Sequence, residues 1–231
     1  MQIKHRGLLV YSKIYKENDL FIKFLSHRDE LFSGIVYGGT AKKNKNVYQV
    51  GYFLDFEIFY KPNKPLSLKG EISKPYVSNI VNDKYKLNCL LCITALVNLS
   101  ILEGQKINNI FNIVDTFLIK MFNEKKWFID FCIFLYQLLK IIGYEINIYD
   151  SNKYKYFDLE ELNFDSNIRN NSIEFPYKFF EKNKKIEKKT VNQILNIFET
   201  VFIKNHLSNL NLQLPNQYHL FKKLIIETIK E

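Results

Sequence analysis

The first 75 residues alternate apolar and polar positions in short runs, which is the pattern of half-buried β-strands. The alternation is clearest at Asp55 and Glu57, each of which lies between aromatic or aliphatic residues. Turn-forming residues separate the runs. The pattern predicts five strands: Ile3–Tyr11, Leu20–Leu25, Leu31–Tyr37, Tyr52–Tyr60 and Leu66–Ile72. Five short strands in so short a segment favour a small closed barrel of the OB-fold class.

After Pro75 the apolar residues recur at helical spacing. The predicted helices are Leu87–Leu102, Ile110–Phe122, Lys126–Ile142, Thr190–Asn205 and Gln217–Lys230. The polar residues 149–188 predict an irregular insert, with short hairpin pieces around Tyr154–Phe157 and Ser172–Pro176. The chain therefore reads as an α+β protein, with an OB-fold β-barrel over residues 1–76 and an all-α helical domain over residues 77–231.

Positive charge is concentrated in the predicted barrel. The chain has a formal net charge of +9, and residues 1–75 supply 13 Lys and Arg against 7 Asp and Glu. The abundance of Lys and Asn indicates biased codon usage, but that bias would act on both parts of the chain alike. The asymmetry therefore favours a polyanion-binding N-terminal part.

The candidate binding element follows the third predicted strand. The strand breaks at Gly38-Gly39, and the loop after it carries Lys42, Lys43 and Lys45. Lysines on a loop held by a strand suit nucleic-acid phosphates, because each ammonium can displace a condensed counterion. Arg6 and Lys13 flank the first strand and extend the predicted DNA track. Exposed lysines are also common on any loop, so the interpretation depends on the other basic residues nearby, Arg6 and Lys13.

Two further sets of side chains have more than one interpretation. Tyr11, Tyr37, Tyr48 and Tyr52 suit either base stacking or core packing. Cys89 and Cys92 have the spacing of half a zinc site, but no second ligand pair accompanies them. Because they share one face of a leucine-rich helix, core packing is the favoured interpretation.

The rest of the sequence contains no recognisable catalytic, nucleotide-binding or targeting motif. The sequence has no P-loop, no Gly-x-Ser-x-Gly and no Gly-x-Gly-x-x-Gly motif, so we expect neither catalysis nor a cofactor or metal. The odd count of 3 Cys is typical of a reducing compartment. Without a signal peptide or spanning segment in this sequence, we expect a cytoplasmic, nucleoid-associated protein.

The N-terminal third resembles the RecO recombination-mediator family of bacterial DNA repair proteins. The family pattern has a Gly-Ile-Val start, a Tyr-x-Glu-x-Asp-Leu segment and a Val-x-x-Gly-x-Arg/Lys loop. The matching runs here are Arg6–Val10, Tyr15–Leu20, Gly34–Gly39 with its basic tail, and Gln49 before the Phe56-Glu57 strand. A looser match, Leu138–Tyr144, resembles the Leu-Leu-x-x-Leu-Gly-Tyr end of a family helix.

The resemblance implies a fold and a set of partners. Such proteins have an N-terminal OB-fold and a helical domain, and they have no catalytic site. They bind single- and double-stranded DNA, anneal complementary strands and partner with RecR. With RecR they help to load RecA onto DNA that is coated by single-strand binding protein.

The chain departs from the family pattern in three places. Many members carry four zinc cysteines after the Gly-Tyr, whereas no cysteine follows Cys132 here, which implies a metal-free insert. The usual Arg-Phe-Glu is replaced by Ile133–Leu135. A contact with the acidic tail of single-strand binding protein would then rest on Lys125, Lys126 or Lys140. The turn at Asp29-Glu30 lacks the usual glycine, which a type I turn would tolerate.

Two other classes of function fit the same residues. An RNA-binding or translation-linked barrel protein would need the same electrostatics. A protein-interaction module would use residues 87–142 as its working surface and would owe the charge of its barrel to codon usage.

Overall fold

Five strands of the N-terminal segment close into a barrel in the order β1-β2-β3-β5-β4, which is OB-fold topology and confirms the predicted fold class. The structure, a computed structural model, describes residues 2–74, 76–147, 154–180 and 187–229. The strands are β1 (Gln2–Lys16), β2 (Asp19–Ser26), β3 (Leu31–Val36), β4 (Phe53–Phe59) and β5 (Ser67–Lys74). β1 is long enough to pair with both β2 and β4, and the parallel pairing of Ile35 with Ser67 joins β3 to β5.

Aromatic side chains fill the barrel. The rings of Phe24 and Phe56 stack with their centroids 3.9 Å apart, and both residues are fully buried. Tyr48 reaches into the same core from the β3–β4 loop, where its hydroxyl accepts from the Gly70 N–H (3.0 Å). Because this loop contributes a core residue, it is anchored to the barrel at a point beyond its lysines.

Helices cover one side of the barrel. Leu8, Leu25 and Leu31 are paired neighbours on the outer face of the sheet, yet none is more than 2% exposed. A Cβ on Gly51 would lie 2.6 Å from the Leu90 side chain, so the backbone before β4 packs directly on α1 (Lys84–Ser100). The side with these leucines is therefore closed to a ligand.

The turn between β2 and β3 is closed by the Asp29 N–H, which donates to the Ser26 carbonyl (3.0 Å). Asp29 has a φ of +67°, a left-handed conformation that favours glycine. Its carboxylate accepts hydrogen bonds from the N–H groups of Asn109 (2.8 Å) and Phe111 (3.0 Å), at the start of α2 (Ile110–Asn123). The side chain thus caps a helix 80 residues away, which gives Asp29 a role that glycine would not fill.

Replacing Asp29 with alanine is expected to lower the free energy of unfolding by about 1–2 kcal/mol, because two N–H groups of α2 lose their acceptor. The substitution Asp29→Asn keeps one acceptor oxygen and tolerates the left-handed conformation, so it should cost less. Urea denaturation followed by circular dichroism measures both changes. Equal stability of the alanine variant and the wild type would show that the contact is not a cap.

Contacts divide the described chain into two compact units, residues 1–118 with 215–221 and residues 119–214 with 222–231. The predicted boundary between residues 76 and 77 marks the change from strands to helices, whereas the contacts group α1 with the barrel. The remaining helices are α3 (Trp127–Ile141), α4 (Tyr177–Phe180), α5 (Lys188–Phe202) and α6 (Asn216–Thr228). No helix among the described residues combines the length and the apolar character needed to cross a membrane.

The insert is more regular than the sequence predicts. Both hairpin pieces are present, and β6 (Tyr156–Asp158) pairs with β7 (Asn163–Asp165) on one side and β8 (Ser172–Glu174) on the other. Strands of three residues are too short to show alternation, and β7 was therefore not predicted. Residues 148–153 and 181–186 of the predicted insert lie outside the described residues.

A buried carboxylate organises this small sheet. Asp158 is 2% exposed, and it accepts from the N–H groups of Glu160 (2.7 Å) and Glu161 (3.0 Å). Arg169 lies 3.8 Å from Asp158 and 2.7 Å from Asp165. The two backbone hydrogen bonds, with help from Arg169, hold the pKa of Asp158 below its usual value. Polar contacts therefore hold β6 and the residues after it.

Candidate nucleic-acid interface

The β3–β4 loop is fastened to the β1–β2 turn. The Gly38 N–H donates to the Asp19 carboxylate (2.9 Å), and the Thr40 N–H donates to the Asn18 carbonyl (3.0 Å). Gly38 has a φ of +65°, which turns the chain toward Asp19. A Cβ on Gly39 would lie 2.9 Å from the Leu20 side chain, so a larger residue would push the loop off β2.

The lysines lie on the outer part of this loop. The N–H groups of Asn44 (2.8 Å) and Lys45 (3.0 Å) both donate to the Ala41 carbonyl, which curls the segment into a helical turn. Lys42, Lys43 and Lys45 are exposed. They take part in none of the ion pairs between described residues, so their charges are available to a polyanion.

The register of the barrel brings two more loops to the same side. One continuous row of paired residues crosses all five strands: Lys13, Phe21, Ile35, Ser67 and Phe59. The strands before the β1–β2 turn, the β3–β4 loop and the β4–β5 loop each end within three residues of this row. The row lies away from the outer leucines that the helices cover.

The same side gains three exposed lysines that sequence reasoning missed. Lys16 ends β1, and Lys61 and Lys64 lie on the β4–β5 loop. The Ile35 N–H donates to the Leu66 carbonyl (2.8 Å), which holds the β4–β5 loop beside the end of β3. Lys13 lies on the row itself. Only the pairing of distant strands in the barrel reveals that these lysines belong to the site. No local sequence pattern contains that information. We call the set Lys13, Lys16, Lys42, Lys43, Lys45, Lys61 and Lys64 the lysine side.

The structure places Arg6 elsewhere. Its guanidinium lies 3.1 Å from the Asp55 carboxylate across the β1–β4 pair, and Lys4 lies 3.5 Å from Glu57 on the same face. A groove of about 460 Å³ on this face is lined by three basic and three acidic side chains, Lys4, Arg6, Lys69, Asp55, Glu57 and Glu71. This balance of charge gives a polyanion little net attraction, so Arg6 is not brought together with the lysine side.

The structure separates the four candidate tyrosines. Tyr48 is a core residue, and Tyr52 is half-buried against the same core. Tyr11 is half-buried, with its ring 6.3 Å from that of Phe21. Tyr37, at the head of the lysine loop, is 60% exposed. Of the four, Tyr37 thus has the most open position for contact with a base.

The cysteines pack in the core, as predicted for Cys89 and Cys92. All three cysteines are buried thiols, and burial raises the pKa of the thiols of Cys92 and Cys132. Thiols kept protonated in this way are poor nucleophiles and poor metal ligands. Among the described residues, no three His, Cys, Asp or Glu side chains are grouped as metal ligands.

His5 is the buried titratable group of the barrel. Its Nδ1 lies 2.7 Å from the Ser26 hydroxyl, and its ring is 4.9 Å from that of Phe32. Burial, with the nearby Arg28 and His27, holds the pKa of His5 below its ordinary value. The neutral ring therefore serves as a packed hydrogen-bonding partner that links β1 to β2.

In the second unit, Lys140 lies beside a cavity of about 180 Å³. Apolar and aromatic side chains form much of its wall, among them Ile133, Tyr136 and Phe180. Lys140 is paired with Glu145 at 2.5 Å. Of the three lysines considered for a contact with an acidic tail, Lys140 is thus the one that lies next to an apolar recess.

Comparison with known proteins finds curated relatives in several species of Rickettsia. The DNA repair protein RecO of Rickettsia canadensis (strain McKiel) is 30% identical over 149 residues, 64% of this chain and 61% of that protein. The RecO proteins of Rickettsia akari (strain Hartford) and Rickettsia bellii (strain OSU 85-389) are 28% and 27% identical, each over 64% of the chain and 62% and 61% of their own lengths. The match thus spans less than two thirds of these relatives. No protein-family model matches the chain.

Proposed function

We propose that this chain, whose sequence is similar to those of RecO DNA repair proteins, acts in DNA repair and recombination by binding DNA through the lysine side of its barrel. The observation that carries the proposal is the convergence, on one side of the sheet, of lysines from two loops and from the end of β1. A charged loop alone is common on protein surfaces, but the register of the barrel places two such loops beside the lysines at the end of β1.

The proposed contact is mainly with phosphates. Each lysine that neutralises a phosphate releases a counterion, and ammonium groups at the ends of flexible side chains follow a mobile backbone without fixing its sequence. Binding of this kind is independent of base sequence. It screens the charge of two strands while their base edges stay free to pair, which is the requirement for annealing. No bond is made or broken by the protein in this role.

The proposed partners follow from the family resemblance. We place RecR, single-strand binding protein and, indirectly, RecA among them, as the resemblance implies. A contact with the acidic tail of single-strand binding protein would fall on the second unit. Lys140 lines a partly apolar cavity that suits the apolar end of a peptide, and an acidic tail there would have to displace Glu145 from its ion pair with Lys140.

Annealing of complementary oligonucleotides tests the proposal. The protein is expected to accelerate duplex formation between two labelled single strands, and to do so also on strands coated with single-strand binding protein. The observable is the rate of energy transfer between the labels at low and at physiological salt. An unchanged rate on naked strands would rule out annealing. Stronger binding of matched RNA than of DNA would favour an RNA-binding barrel protein instead.

A further inference from the structure

Exposed tyrosines gather on the lysine side. Among the described side chains, four tyrosines are counted as exposed: Tyr15 (51%), Tyr37 (60%), Tyr60 (40%) and Tyr154 (37%). The first three lie at the ends of β1, β3 and β4, next to lysines of this side. Tyr15 precedes Lys16, Tyr37 begins the β3–β4 loop, and Tyr60 precedes Lys61. This distribution does not follow from composition, since tyrosine occurs along the whole chain.

The three tyrosines keep close to one row of the sheet. Tyr15 is two residues beyond Lys13, Tyr37 is two beyond Ile35, and Tyr60 is one beyond Phe59, all from the row that crosses the five strands. The order β1-β2-β3-β5-β4 leaves one strand between each tyrosine-bearing strand and the next. Since neighbouring strands lie about 4.8 Å apart, successive tyrosine-bearing strands are roughly 10 Å apart.

From this arrangement we propose that Tyr15, Tyr37 and Tyr60 form a stacking platform for the unpaired bases of single-stranded DNA. The inference rests on the proposed function and adds the strand state that the site prefers. Every base has a π-face, so stacking on tyrosine tolerates any sequence. The neighbouring lysines suit the phosphates of the same strand. The Lys16 ammonium lies over the Tyr15 ring, 5.6 Å from its centre, so a cation covers one face of this ring and a base would stack on the other.

We expect the platform to bind single-stranded DNA more tightly than duplex DNA. In a duplex the base faces are covered by neighbouring base pairs, so the tyrosines gain no contact and the phosphates alone bind. In a single strand both kinds of contact form. Stacking covers the face of a base and leaves its pairing edge free, so a strand held in this way remains competent to anneal.

Variants of the tyrosines test the platform. The triple substitution of Tyr15, Tyr37 and Tyr60 with alanine is expected to weaken binding of a single-stranded oligothymidine by about fivefold or more, because stacking of one base is worth at least that factor. Binding of a duplex of equal length should change less than twofold. The corresponding triple phenylalanine variant keeps the rings and should bind both as the wild type does. Tyr154→Ala, at an exposed tyrosine of the second unit, is the matched control.

An abasic oligonucleotide distinguishes lost base stacking from a structural defect. A structural defect would weaken the binding of both strands alike and would leave the ratio of their affinities unchanged. The wild type should bind the abasic strand more weakly than oligothymidine, and the alanine variant should bind the two equally. Fluorescence anisotropy measures each affinity, and circular dichroism confirms that the variants are folded. Equal losses on single strand and duplex, or no loss at all, would overturn the platform. If the wild type binds no DNA, the proposed function itself fails.

Discussion

The triple substitution of Lys42, Lys43 and Lys45 with alanine is expected to weaken binding of single-stranded DNA roughly tenfold or more at low salt. The three ammonium groups are exposed on a loop that is fastened to the barrel, and they take part in no ion pair among the described residues. Their removal should also make the slope of log K against log [salt] less steep by about 2, since each single-strand phosphate contact contributes about 0.7. Anisotropy titrations over a range of salt concentrations measure both effects.

The matched control removes the same charge from the other unit. Lys125, Lys126 and Lys178 are exposed lysines of the second unit, and their replacement with alanine should leave DNA affinity within about twofold of the wild type. Arg6→Ala should fall close to this control, because Arg6 is paired with Asp55. The unfolding temperature of the lysine variant should stay near that of the wild type, since exposed charges contribute little to folding. If the lysine and control variants bind alike, the site assignment is wrong.

The second large effect concerns the barrel itself. Replacing Phe56 with alanine is expected to lower the free energy of unfolding by about 3–5 kcal/mol. Phe56 is fully buried, and its loss would remove the ring that stacks on Phe24 and leave a cavity in a closed sheet that cannot collapse freely. Because β4 supports the β4–β5 loop, DNA binding should fall in proportion to the unfolded fraction.

Urea denaturation of a control variant distinguishes the cost of a cavity in the core from the cost of truncating any apolar side chain of the barrel. Ile72→Ala changes a residue of β5 that is 43% exposed, and it should cost less than about 1 kcal/mol. The only tryptophan, Trp127, lies in α3, so its fluorescence reports the second unit, while circular dichroism reports both. A cost for Phe56→Ala as small as that for Ile72→Ala would contradict the description of the core.

Local patterns in the sequence predict most of the fold. All five barrel strands and the longer helices are present near their predicted positions, because alternation and helical spacing follow directly from burial on one face. The far end of β1 was missed. A register shift between Leu9 and Tyr11 breaks the alternation there, and residues 13–16 are exposed on both faces.

Contacts between distant residues are the part that the sequence does not reveal. Asp29 looks like an ordinary turn residue, yet its carboxylate caps a helix 80 positions later. Lys42, Lys43 and Lys45 are recognisable as one loop cluster. Their neighbours across the row of the barrel come from the end of β1 and from the β4–β5 loop, so only the closed register assembles the full site.

The salt dependence of single-stranded DNA binding by the wild type tests the central claim most directly. If about six lysines each neutralise one phosphate, log K should fall with log [salt] with a slope of about −4. Anisotropy titrations of a labelled oligothymidine between about 50 and 200 mM salt cover the range in which such a slope is large. A slope near −4 is therefore the expected result. An affinity that stays flat over this range would contradict the account, because the lysine side would then not be a phosphate-binding surface.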